Sequence, residues 1–227
     1  MSRLSFSKAL LLAVATISVG SCFEAAGRPV AAHGKRIVSL PSDPSIQMHG
    51  SGPQVYLMRG FLNVFSLGMD SLASELRRAG ISATVANHTS WHGLAEEIAA
   101  NYRAGRRGPI VLVGHSFGAD AVMSMGEYLG QQGVPVALIV PFDGTSSHEA
   151  TANVARVLNL YKSDSVKITR GPGFHGELTN YYVANPSITH MNIDDDEKLH
   201  AMVINRIRAI RNVRSAVSAP AGTGKPG

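Results

Sequence analysis

Between residues 54 and 213 the apolar positions switch repeatedly between short continuous runs and a period near 3.6, and each switch marks an element. Residues 55–58 form a short apolar run closed by Arg59 and Gly60. Met69, Leu72, Ala73 and Leu76 then recur at helical spacing, with Gly80 as a stop. Residues 81–86 read as a strand. Ser90 is placed to cap a helix that carries Leu94, Ile98 and Tyr102 on one face. Residues 110–113 are continuously apolar between Gly108-Pro109 and Gly114, a helix follows from Phe117 to Leu129 with Gly130 at its end, and residues 136–140 form the next apolar strand. Residues 154–161 and 177–183 are read as further strands. The last helix runs over 197–213, with Asp194, Asp195 and Asp196 at its positive N-terminal end. Strands alternating with helices, and strands apolar without interruption, predict an α/β fold: a mainly parallel sheet of about six strands covered by helices on both faces.

Outside this stretch the pattern fades. Residues 23–52 are rich in Gly, Pro, Ser and Ala, and residues 215–227 have a similar make-up. The expected organisation is a signal peptide at 1–21, a flexible tether at 22–52, the folded domain at 53–214 and a disordered tail at 215–227. Gly222-Thr223-Gly224-Lys225 has the look of a phosphate loop but lacks the strand before it and the helix after it, so no nucleotide is expected there.

The N-terminus changes the picture most. Arg3 and Lys8 precede an apolar run from Ala9 to Val19, followed by Gly20, Ser21 and Cys22. Basic, apolar, then small residues make the pattern of a secretory signal peptide, and the run is too short for a permanent membrane span. Val19-Gly20-Ser21-Cys22 also has the form of a bacterial lipobox. Two readings stay open: Cys22 is lipidated and anchors the mature protein, or it lies at or just after an ordinary processing site. Both place the protein in the bacterial periplasm or cell envelope. Cys22 is the only cysteine, so no internal disulfide can form.

Composition narrows the class. At 227 residues, with 44% hydrophobic and 16% charged, the chain suits one globular domain and is short for two. The formal charge of +5 is spread out. Its densest runs, Arg103, Arg106 and Arg107 and then Arg206, Arg208, Arg211 and Arg214, read as solvated helix faces and loop ends, and no nucleic-acid partner is expected.

The strand at 110–113 leads directly into Gly114-His115-Ser116-Phe117-Gly118 and then into a helix. This is G-x-S-x-G in the strand–turn–helix setting that gives the motif meaning. A turn this sharp strains the serine backbone and brings neighbouring elements against both flanking positions. Glycine removes those collisions and leaves the hydroxyl exposed above the sheet. The helix starting after Ser116 adds free N–H groups where negative charge would develop. Ser116 is the candidate nucleophile.

With this motif and the stretch from Arg59 to Asp70 upstream of it, the chain resembles the α/β-hydrolase superfamily over roughly residues 54–213, in particular its small bacterial esterase- and thioesterase-like members. The resemblance implies acyl transfer to water through a serine ester, without a cofactor, and the chain order Ser, acid, His. It also implies an oxyanion hole built from the main-chain N–H groups of Phe61 and Phe117. One departure stands out: many members have His-Gly where this chain has Arg59-Gly60. That departure keeps open a rival reading, a non-catalytic cell-envelope binding protein on the same scaffold.

In that order the base lies late in the chain, around the last strand and the last helix, where the candidates are His175, His190 and His200. His200 falls within the last helix and reads as a surface or packing residue, and His175 as a loop residue. His190, followed by the capped helix, is the preferred base. Two acids compete. Asp143 follows the strand at 136–140 and Asp164 the strand at 154–161; both positions are used in the superfamily, and the Phe-Asp-Gly-Thr turn favours Asp143, with Asp164 as the alternative. The acid's task is to hold the imidazole tautomer and stabilise the imidazolium. Asp120, one helical turn after Ser116, reads as a structural hydrogen-bonder. His88 and His92 have i, i+4 spacing but no third ligand in view, so no metal is expected. Trp91, Phe61, Phe65 and Phe174 are candidate walls of an acyl pocket, with core packing as the plainer use of each. Little material lies between 140 and 154 for a lid, so an accessible site for small or medium acyl substrates is expected. Oligomeric state is not legible.

Overall fold

The computed structural model describes residues 52–61 and 67–218, with side chains to 210. The expected signal peptide and tether, Cys22, Phe65 and most of the expected tail lie outside the described residues.

Six strands form one parallel sheet: β1 (Gln54–Arg59), β2 (Ser82–Asn87), β3 (Ile110–His115), β4 (Leu138–Phe142), β6 (Arg156–Tyr161) and β8 (Glu177–Tyr182), in the order β2-β1-β3-β4-β6-β8. A separate two-stranded parallel ribbon pairs β5 (Glu149–Ala150) with β7 (Thr169–Arg170). Among the described residues four helices cover the sheet: α1 (Leu67–Arg78), α2 (Trp91–Arg103), α3 (Phe117–Gln131) and α4 (Glu197–Ser218).

The faces follow from the order. The chain steps outward from β1 to β2, then reverses to reach β3. Right-handed crossovers in opposite directions put their helices on opposite faces. Accordingly α1 and α4 pack Met69, Leu72, Leu76, Val203 and Ile207 on the face that carries Val55, Leu57, Val111 and Val113. On the other face, α2 and α3 pack Ile98, Val122, Met125 and Leu129 over Met58, Ile110, Leu112 and Ile139. Successive residues of β3 alternate between the two cores, as the period of a strand requires, and all six are buried. That double burial is why β3 reads as an unbroken apolar run.

Several boundaries differ from the sequence reading. Val136 and Val154 are both buried but form only an isolated bridge, and continuous pairing begins at Leu138 and Arg156. α3 passes through Gly130 to Gln131, and the left-handed turn falls at Gly133 (φ 68°). Gly80 does serve as the stop after α1, with φ 71°. Ser90 occupies the N-cap of α2, yet its hydroxyl makes no capping bond. Asn87 instead accepts from the Thr89 amide at 2.9 Å and orders a short 3₁₀ turn at His88–Ser90. No helix among the described residues is long and apolar enough to cross a membrane.

Candidate active site

Parallel strands all point the same way, so β1, β3, β4 and β8 deliver their following loops to one edge of the sheet. The reversal of strand order lies between β1 and β3, and ligands of open α/β sheets gather at such a point. Gly60, Ser116 and Asp143 follow β1, β3 and β4 directly. His190 lies eight residues beyond the end of β8.

The elbow has the geometry its glycines require. Ser116 has φ 55° and ψ −124°, a strained conformation for a residue with a Cβ. A Cβ on Gly118 would lie 2.1 Å from the Met58 carbonyl oxygen, and one on Gly114 2.1 Å from the carbonyl oxygen of Gly118. The first turn of α3 is thus pressed against the end of β1, and only glycine allows it. The Ser116 amide donates to Phe142 O at 3.0 Å, tying the elbow to β4. Within α3, the Ser116 carbonyl accepts from Ala119 and Asp120, and helix geometry leaves the earlier N–H groups, Phe117 first, without intrahelical acceptors. Phe61 and Phe117 approach ring to ring at 6.0 Å, and His88 stacks on Phe117 at 5.6 Å while its Nδ1 meets Gly60 O at 3.2 Å.

The side chains converge. His190 Nε2 lies 3.0 Å from Ser116 Oγ, and His190 Nδ1 lies 2.8 Å from Asp143 Oδ2. The second carboxyl oxygen, Oδ1, accepts the Lys162 amide at 2.8 Å. Asp143 has a left-handed backbone (φ 44°), and its own amide donates to Leu160 O at 2.8 Å. Burial alone would raise the Asp143 carboxyl. The His190 ring and the Lys162 amide outweigh it, and the net direction is down. The hydrogen bond to Asp143 raises His190 above the ordinary histidine value, against the smaller opposing effect of partial burial.

The loop that carries His190 is held from below. Lys162 Nζ donates to Val183 O at 2.8 Å and Asn185 O at 3.0 Å. Asn192 Oδ1 accepts the Thr189 amide at 2.6 Å, and its Nδ2 donates to Ser187 O at 3.2 Å. Sequence reasoning singled out neither Lys162 nor Asn192. A lysine directly after the end of β6 carries no local signal for such a task.

The other candidates are placed apart from this cluster. The Asp164 side chain is 78% exposed and pairs with Lys167 at 2.9 Å. His175 is exposed in its loop. His200, expected to be a surface or packing residue, is buried: its Nδ1 meets Glu75 Oε1 at 3.0 Å and its Nε2 donates to Asp194 O at 2.6 Å. Asp194, expected to face the helix N-terminus alongside its neighbours, is also buried. Asp196 alone caps α4, accepting the Lys198 and Leu199 amides at 2.9 Å. Asp120 is the hydrogen-bonder expected of it, accepting from Thr145, Ser146 and His148 and so fixing the turn beyond Asp143. His92 sits by Glu96 at 3.6 Å, apart from the His88 contacts, and no group of three metal-ligating side chains occurs among the described residues. Phe174 is core, buried on the α2/α3 face, and Trp91 packs against the same core. Arg59, in place of the expected histidine, forms a two-pronged ion pair with Asp70 at 2.6 and 2.7 Å, clamping the end of β1 to α1.

A parallel sheet with a serine on a glycine-flanked elbow defines an α/β-hydrolase. The chain belongs to the thioesterase domain family, whose model matches residues 68–221, and it is a serine-type hydrolase of the thioesterase or esterase kind. Among solved structures it is similar to the type II thioesterase BorB from the borrelidin biosynthetic cluster, at 10% identity and a TM-score of 0.47, over 70% of this chain and 94% of that one. It is also similar to a protein described as an alpha/beta superfamily hydrolase from Xanthomonas campestris pv. campestris (15% identity, TM-score 0.38, 73% and 99% covered) and to an acetyl xylan esterase (14%, 0.40, 70% and 97%). No curated protein matches the sequence significantly.

Proposed function

We propose that the chain hydrolyses acyl esters or thioesters through an acyl-enzyme, with Ser116 as nucleophile, His190 as general base and acid, and Asp143 as the orienting acid. The supporting observation is the unbroken run of contacts from Ser116 Oγ through both His190 nitrogens to Asp143. Ser116 Oγ attacks the acyl carbon as His190 Nε2 takes its proton. The carbonyl oxygen becomes an oxyanion, and the main-chain N–H groups of Phe117 and Phe61 are the proposed donors to it. Collapse expels the alcohol or thiol, which takes the proton back from His190, and leaves Ser116 acylated. Water then attacks by the same route and releases the acid. Exposed Phe61, Phe117 and Met191 lie beside these residues and form an apolar rim suited to an acyl group on a small-molecule substrate.

Ser116→Ala tests the reading. Hydrolysis of p-nitrophenyl esters and acyl thioesters should fall by about 10³ or more, and fluorophosphonate labelling should vanish. Activity within about tenfold of the native protein would refute Ser116 as nucleophile. We also propose export to a bacterial periplasm or cell envelope, from the basic, apolar and small-residue order at the N-terminus. Intact mass of protein from the native envelope decides this. A chain beginning at Met1 rules export out, and a diacylglyceryl mass on Cys22 identifies a lipid anchor.

A further inference from the structure

Beside the proposed triad lies a second histidine–aspartate pair that the mechanism leaves unused. His115 precedes Ser116 in the elbow and is 2% exposed; Asp194 lies four residues after His190 and is wholly buried. The His115 ring is 5.2 Å from the His190 ring. Its Nε2 is 2.8 Å from the main-chain oxygen of His190, and its Nδ1 is 3.4 Å from Asp194 Oδ1. Neither Asp194 carboxyl oxygen is hydrogen-bonded by another residue among the described residues.

Counting protons decides what this arrangement requires. A carbonyl oxygen only accepts, so His115 Nε2 carries a hydrogen. Asp194 Oδ1 lies 3.4 Å from Nδ1 without forming a hydrogen bond, so it acts on the ring through its charge: an ionised carboxylate there draws the ring hydrogen toward Nδ1, and a protonated one leaves it on Nε2. Burial favours the protonated form, pushing Asp194 up to about 7, reinforced by Asp195, and it pushes His115 down.

We propose that His115 is a positioning residue for the base, with its Nε2–H directed at the main chain of His190, and that the proton of buried Asp194 preserves this tautomer. The proposal rests on His190 being the base. When that proton is lost, the one hydrogen left on the ring is drawn to Nδ1 by the carboxylate. Nε2 then turns a lone pair toward the His190 carbonyl, and the contact that places the base becomes repulsive. The charges facing the pair are His190 and Asp195 from the loop before α4, His200 from α4 with Glu75 of α1 behind it, and Asp143 from the turn after β4. The device makes the alignment of the base depend on a buried proton that never enters the reaction.

Two variants and one spectrum test it on the full chain. His115→Phe keeps the volume but loses the donor; kcat and the fluorophosphonate labelling rate should fall about ten- to a hundredfold, with KM within about threefold. Asp194→Asn places an uncharged group beside Nδ1 at every pH; it should keep kcat within about threefold at the optimum and lose the decline that follows ionisation of Asp194 in the native profile. In ¹⁵N spectra, native His115 should carry its hydrogen on Nε2 below the pH at which Asp194 ionises and shift toward Nδ1 above it. His115→Phe at native kcat, an unchanged decline in Asp194→Asn, or a His115 ring with no hydrogen on Nε2 below the ionisation of Asp194 would each overturn the proposal. If His115→Phe does not fold, the other two readings decide. Labelling that survives Ser116→Ala would instead overturn the proposed nucleophile, and the His115 spectrum reports on the pair independently of that result.

Discussion

Two aspartate–histidine pairs stand side by side at the end of this sheet, built from the same side chains and moved in opposite directions by their surroundings. Asp143 and His190 meet at 2.8 Å, with the His190 side chain 42% exposed; the carboxyl is lowered and the imidazole raised, so the pair favours charge separation. Asp194 and His115 are sealed from water at 3.4 Å; the carboxyl is raised and the imidazole lowered, so the pair favours neutrality. The difference lies in what else reaches the carboxylate. Asp143 receives the Lys162 amide, whereas Asp194 receives no hydrogen bond from another described residue. Burial without donors makes an acid that keeps its proton, and burial with donors makes one that gives it up.

The same substitution at the two aspartates should therefore have unlike results, and this is the largest effect expected. Asp143→Asn should lower kcat by about 10³- to 10⁴-fold, because the amide favours the wrong His190 tautomer. Asp194→Asn, by contrast, should cost little at the optimum pH. Similar losses in both would erase the distinction. A subtler effect is on the acid limb of kcat/KM, which reports the free base. It should lie above the ordinary histidine value near 6.5, and Asp143→Asn should move it down by removing the main cause of the rise.

Stability separates the pairs as well. Asp194 is raised, so the native state holds its proton more tightly than the unfolded chain does. Its contribution is intact below the ordinary carboxylate range and is lost as pH rises toward about 7, by an amount on the order of a few kcal/mol. Asp143 is lowered, so its contribution is present above that range and is lost as pH falls. Denaturant melts at several pH values should show Asp194→Asn gaining on the native protein from pH 4 to pH 7 and Asp143→Asn gaining as pH drops further. The smallest effect is reserved for the other acid weighed in the sequence. Asp164→Asn, on an exposed ion pair, should leave kcat within about twofold and stability within about 1 kcal/mol.

Most of the scaffold was legible because its signals are local. Continuous apolar runs mark β3 and β4, helical spacing marks α1, and the paired glycines mark Ser116. The position of His190 after the last strand followed from chain order. The choice between Asp143 and Asp164 did not, since both follow strands that end at the same edge. What separates them in space is the left-handed turn at Asp143 and the amide of Lys162, contacts between segments nineteen residues apart. His115 and Asp194 were hidden for a similar reason. One is the unspecified position of the motif, and the other stands in a run of three acids that resembles a helix cap. A faint clue was present: one aspartate suffices to cap a helix, and Asp196 does so.

Among the described residues only Ser116 and Asp143 adopt positive φ without being glycine. Two of the three residues proposed for chemistry therefore sit where the backbone would relax if the side chain were removed. Such conformations cost about 1–3 kcal/mol each, and glycine relieves them at an entropic cost of about 0.5–1 kcal/mol. Selection for heat resistance alone would thus drift toward Ser116→Gly and Asp143→Gly and deliver a sturdier, inert protein. Directed evolution of this scaffold needs a turnover screen in every round, because thermal tolerance and hydrolysis draw on these two positions in opposite senses.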